Sequence, residues 1–155
     1  MALIAAILFA PVPVTAETVT GVSSVIDGDT LEVRGQRIRL HGIDAPESRQ
    51  LWIRAGGKLW RCGQQAAFAL SDRIGRQQVS CRACDTDRYG RAIAVCVQDA
   101  SDLNAWMVQR GWAVAYRRYS RDYIPAEEDA HRSRRNIWSG QFDMPWDWRR
   151  AQRGG

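Results

Sequence analysis

At 155 residues the chain can bury one core of ordinary size but not two, and its apolar run from Ala2 to Ala10 is too short to cross a bilayer. The 22 Lys and Arg against 17 Asp and Glu leave a net charge of +5, which favours polyanionic partners, through their phosphates, over basic ones.

Met1 to Ala16 carries no charged side chain and ends in Val14-Thr15-Ala16, a small-residue cleavage pattern. It is expected to be a secretory signal, removed to leave a secreted or periplasmic chain that starts at Glu17 and has no membrane anchor. A basic leading segment is missing, and a buried N-terminal strand is the competing account. Thr18 to Ile26 is β-branched and alternating, as a first strand should be.

The densest chemistry lies in Val25 to Glu47, VIDGDTLEVRGQRIRLHGIDAPE. Asp27 and Asp29 flank Gly28, Leu31 to Val33 alternates as a half-buried strand, and Gly35 turns the chain back. Gln36 to Ile43 then sets Ile38 and Leu40 on one face and Arg37, Arg39 and His41 on the other. A hard divalent cation gathers carboxylates from neighbouring segments, and Asp29 and Asp44 suit it. Glu47, beyond the stiff Pro46, suits a general base toward water, and the planar fork of Arg39 suits a phosphate. Taken alone, DGDT also reads as an acidic turn that satisfies its own amides.

Ser48 to Cys62 lacks a clean period and is expected to be a loop. Gly63 to Gly75 is expected to be a packing helix, since Ala66, Ala67, Leu70 and Ile74 recur at helical spacing. Gln78 to Cys84 and Ala92 to Val97 should form a hairpin around Asp87-Arg88-Tyr89-Gly90. That hairpin brings Cys81 and Cys96 nearly opposite each other, so a disulfide is expected there, with Cys62–Cys84 as its companion. Three connectivities stay open on sequence grounds. Zinc is disfavoured, because Cys81-Arg82-Ala83-Cys84 has no second such pair and no nearby histidine.

Asp102 to Arg110 is expected to be a helix capped by Asp102, with Leu103, Trp106 and Met107 as its stripe. Trp112 to Tyr119 is expected to be extended; Tyr116 and Tyr119 suit base stacking, although a basic surface with ordinary aromatics reads the same way. Ile124 to Arg135 is expected to be a third helix, acidic early and basic late. Phe142, Trp146 and Trp148 should latch residues 141–155 onto the domain, with Arg149 to Gly155 frayed.

VIDGDT, RIRLHGIDAPE, DRYGR at Asp87 to Arg91 and NIW at Asn136 to Trp138 together resemble the thermonuclease family, the staphylococcal nuclease-like enzymes. The resemblance covers most of residues 17–140. It implies an α+β, mainly β architecture: a five-stranded Greek-key barrel of the oligonucleotide-binding type with about three packed helices. It also implies a calcium ion on Asp29, Asp44 and the backbone carbonyl of Ala45, with Asp27 behind them. Ala45 stands where the best-known members have threonine, which removes a hydroxyl but not the main-chain ligand. Arg39 and Arg91 would grip the scissile phosphate, Arg91 projecting toward the acids, with Glu47 as base and Arg88, Tyr89 and Tyr116 near the nucleotide. The implied enzyme is a monomer that cuts DNA and RNA, single strands preferred, at the 5′ oxygen to leave 3′-phosphates; a silent binding module on the same barrel is the alternative.

Overall fold

The computed structural model describes residues 16–154, so the expected leader lies outside the described residues except for Ala16. In chain order come β1 (Thr18–Asp27), β2 (Thr30–Val33), β3 (Gln36–Leu40), β4 (Ile43–Asp44), β5 (Trp52–Arg54), β6 (Leu59–Trp60) and α1 (Cys62–Ile74). There follow β7 (Gln78–Thr86), β8 (Ala92–Gln98), β9 (Ser101–Asp102), α2 (Leu103–Gln109), β10 (Val114–Ala115) and α3 (Ile124–Arg132). A 3₁₀ turn at Asn136–Ser139, β11 (Gly140–Gln141) and α4 (Pro145–Arg153) complete the order.

β1, β2, β3, β7 and β8 close into a mixed barrel. The antiparallel order β3-β2-β1-β7-β8 is joined end to end by a parallel pairing of β3 with β8. The β2–β3 hairpin turns at Arg34 and Gly35, both at positive φ (52° and 78°), the twist that a tight two-residue hairpin needs. Alternation places Leu31, Val33, Ile38 and Leu40 inside the barrel, where they meet Leu70 and Ile74 of α1 and Leu103 and Met107 of α2. Asp102 caps α2 by accepting from the Ala105 amide (2.9 Å), as its position before an apolar helix demands.

Several segments differ from the sequence-based expectation. Ser48 to Cys62 is not a plain loop. It holds β5 and β6, which form a small second sheet with β11 in the order β11-β5-β6, because Trp52 needs a covered site and finds one beside Cys62, Val114 and Ile137. Of Trp112 to Tyr119, only Val114–Ala115 is a strand. The residues from Arg149 onward are not frayed. Pro145 at the start of a helix has its φ preset, and α4 runs to Arg153. Phe142, Met144 and Trp146 pack with Trp60 and Trp138 on the second cluster.

The Cys81–Cys96 disulfide forms between directly paired residues of β7 and β8. The Cys62–Cys84 pairing does not. Cys62 is buried at the head of α1, where its thiol donates to the Gln50 carbonyl (3.4 Å), and Cys84 lies exposed on β7, facing the Ile93 carbonyl (3.2 Å). The two belong to different packing neighbourhoods, which the spacing of cysteines alone does not reveal.

Candidate active site

The acids stand at the ends of strands β1 and β4, brought together by the short turns that follow β1 and β3. Gly28 makes the approach possible: a Cβ there would stand 2.7 Å from the Ala45 Cβ and 3.0 Å from that of Ala66. Asp29, nearly buried, accepts from the Ala45 amide (2.9 Å), the Thr30 hydroxyl (3.1 Å) and Arg39 (3.1 Å). Arg39 spreads its fork across both acids, one nitrogen on Asp29 and the other on Asp44 Oδ1 (3.1 Å). Asp44 is fully buried, held in β4 by pairing with Val114 of β10.

Glu47 follows Pro46 on a turn closed by the Gln50 amide, which donates to the Glu47 carbonyl (2.7 Å). This turn rests on the start of α1 at Gly63, where any Cβ would overlap the Glu47 carbonyl. Gln50, also fully buried, accepts from the Glu47 amide (3.3 Å) and donates to the Asp143 carbonyl (2.6 Å), tying the turn to the C-terminal segment.

Arg91 does not reach the acids. It leaves the β7–β8 turn, with Gly90 at φ 79°, and its Nε pairs with Asp87 at 2.7 Å. The same Asp87 carboxylate caps the turn through the amides of Tyr89 (2.9 Å) and Arg91 (3.0 Å), so the nearest strong acceptor lies within its own hairpin. The β3–β8 register nevertheless pairs Ile38 with Ala92 and Arg39 with Ile93, which sets Arg91 two residues along the chain from the partner of Arg39. Arg88 and Arg91 flank the exposed Tyr89 ring, 4.9 and 5.7 Å from its centroid. Tyr116 follows β10, its amide donating to the Gly42 carbonyl (2.9 Å) beside the acids. Tyr119 meets its ring edge-on.

One charged partner of the cluster escaped the sequence reading. Arg149 of α4 forks onto both oxygens of Asp44 (3.0 and 2.7 Å) and reaches Glu47 Oε1 at 2.8 Å. From the same helix, Trp146 stacks on Tyr116, centroids 5.4 Å apart and planes 10° off parallel. The available signal was the spacing of Trp146 and Arg149, which a helix begun by Pro145 places on one face.

Electrostatically the cluster is short of positive charge. Asp29, Asp44 and Glu47 share the guanidiniums of Arg39 and Arg149, and Asp27, which accepts from the Asp29 amide (3.2 Å), adds a fourth carboxyl group. Burial, then the charge of Asp29, pushes the Asp27 carboxyl up to about 6. Asp44 is also raised by burial, against the pull of Arg149 and Arg39. Both arginines stay firmly protonated: burial opposes their charge, but the carboxylates outweigh it. Among the described residues no group of three or more His, Cys, Asp or Glu side chains forms a metal cage. Two buried carboxylates in acid excess, Asp29 and Asp44, still offer the oxygen ligands that a hard cation takes when it completes its shell with water.

A closed small barrel with carboxylates and arginines gathered at one edge is a domain of the oligonucleotide-binding type. Residues 37–140 match the family described as Staphylococcal nuclease homologue, and the chain belongs to that family. It is 35% identical over 143 residues to the succinoglycan biosynthesis protein ExoI of Rhizobium meliloti, covering 90% of this chain and 75% of that one. It is 34% identical over 167 residues to a micrococcal nuclease of Shigella flexneri, covering 96% of this chain and 90% of the relative. An uncharacterized endonuclease of Haemophilus influenzae is 32% identical over 140 residues, covering 85% and 73% respectively.

Proposed function

We propose that the protein is a metal-dependent nuclease, a hydrolase of phosphodiester bonds in DNA and RNA that prefers single strands and leaves 3′-phosphate ends. The observation that carries this reading is the buried Asp29–Asp44 pair, bridged by Arg39 with Glu47 joined to the same network. The relatives described as micrococcal nuclease and endonuclease support it.

Asp29, Asp44 and the Ala45 carbonyl would hold calcium, with Asp27 behind them; when bound, the ion supplies positive charge against the phosphate. Arg39 and Arg91 offer planar forks to the equatorial oxygens as charge grows there, which requires Arg91 to exchange Asp87 for phosphate. Glu47 takes the proton of the attacking water. Arg88, Tyr89 and Tyr116 meet the nucleotide through charge and ring faces, contacts that ignore the sugar. The uncharged Met1 to Ala16 segment and the Cys81–Cys96 bond favour export to an oxidising compartment, where the protein would act as a monomer.

The test is digestion of denatured DNA with and without calcium by wild type and Glu47→Gln. Calcium-dependent cleavage should fall about a thousandfold in the variant while its melting curve stays unchanged. Equal rates remove Glu47 from the chemistry, and single-strand binding without cleavage by either protein establishes the silent module instead.

A further inference from the structure

The position of α4 is not accounted for by hydrolysis. Its Arg149 occupies both oxygens of Asp44 and one of Glu47, the carboxylates assigned above to ion binding and proton transfer. The contact is built rather than incidental. Asp44 is fully buried, α4 is anchored by the Gln50–Asp143 hydrogen bond (2.6 Å), and Trp146 covers the face of Tyr116.

A divalent cation on Asp44 needs at least one oxygen that Arg149 now holds. Asp44 Oδ1 already accepts from both Arg39 (3.1 Å) and Arg149 (3.0 Å), and Oδ2 accepts from Arg149 alone, so an ion on Asp44 competes with the Arg149 fork for lone pairs and meets its positive charge. Arg149 and Trp146 lie three residues apart on one helical face, so lifting the guanidinium also disturbs the ring on Tyr116.

We propose that Arg149 is the resident counter-ion of the acidic cluster, an internal competitor that the divalent cation displaces from Asp44, so that α4 sets the ion affinity and guards the Tyr116 face. The proposal rests on the ion-site reading given above. Ion entry releases the guanidinium from Asp44 and frees it for an anion, and a nucleotide that takes the Tyr116 face from Trp146 favours the same release. Ion and nucleotide thereby help each other to bind.

The experiment is calcium titration by calorimetry of the full chain at fixed salt, comparing wild type, Arg149→Gln, Arg150→Ala and Asp44→Asn. Arg150 is the control of equal charge, an exposed neighbour that, among the described residues, pairs only with Asp147 on its own helix. Arg149→Gln should bind calcium about tenfold more tightly than wild type, while Arg150→Ala matches wild type and Asp44→Asn loses binding. In the wild type, calcium should speed amide exchange across residues 145–153, a readout that needs no variant to fold. Equal or weaker calcium affinity in Arg149→Gln, or α4 exchange unmoved by calcium, overturns the role of Arg149. The ion site then survives provided that Asp44→Asn loses binding. If Asp44→Asn binds as wild type does, or no protein binds calcium, ion site and competitor fall together.

Discussion

Gly63 shows how a residue without a side chain governs one with a carboxylate. The turn that carries Glu47 lies against the first residues of α1, and any Cβ at position 63 would overlap the Glu47 carbonyl. Backbone, not a flexible tip, is in the way. Gly63→Ala should therefore cost about 1–3 kcal/mol of stability as the turn shifts. It should also reduce calcium-dependent cleavage by about tenfold or more, since a misplacement near 1 Å is enough for that. Calorimetric melting beside a digestion rate checks both, and unchanged values would mean that the turn relaxes freely. The acids themselves were legible in the sequence because Asp27, Asp29, Asp44 and Glu47 cluster within one hairpin and its exit. Gly63 was read only as the start of a helix, because its demand comes from a segment packed against it.

Among the elements, the β7–β8 hairpin positions Arg91 through Asp87. Burial opposes the Asp87 charge and is the largest single effect, but the Arg91 side chain and the amides of Arg91 and Tyr89 together outweigh it and hold the carboxyl below the usual range. An acid depressed in the folded state adds stability above its unfolded value, and loses that increment as pH falls through the folded one. The melting-temperature gap between wild type and Asp87→Asn should thus be widest near neutrality and close as pH drops from about 5 to about 2. A gap that does not change with pH would mean that the pair contributes shape and no charge. Hairpin alternation read from the sequence located this element and its glycine turn correctly, but could not aim Arg91, whose partner depends on the local curl of the turn. The helix α4 was harder still: Arg149 meets Asp44 across 105 residues, and no local pattern encodes a contact of that range.

For the molecule as a whole, the barrel was legible through its ordered motifs. The second sheet was not, because β5, β6 and β11 are short and take their stability from Trp52 and its neighbours rather than from strand periodicity. The Cys81–Cys96 link closes 15 residues, and a loop of that size limits the unfolded chain by about 3 kcal/mol. Reduction with a thiol should accordingly lower the midpoint of thermal unfolding by roughly 10 °C. An unmoved midpoint would mean that the link adds no net stability.

The parallel β3–β8 ladder, with Ile38, Arg39 and Leu40 set against Ala92, Ile93 and Ala94, is the shortest seam of the barrel. Arg39 stands on one lip of that seam, and Arg91 enters from the other. A partly folded form that tears only there would keep both hairpins and most of its ladders, yet part the two guanidiniums proposed to close on one phosphate. Its spectrum would look native while its hydrolysis stopped.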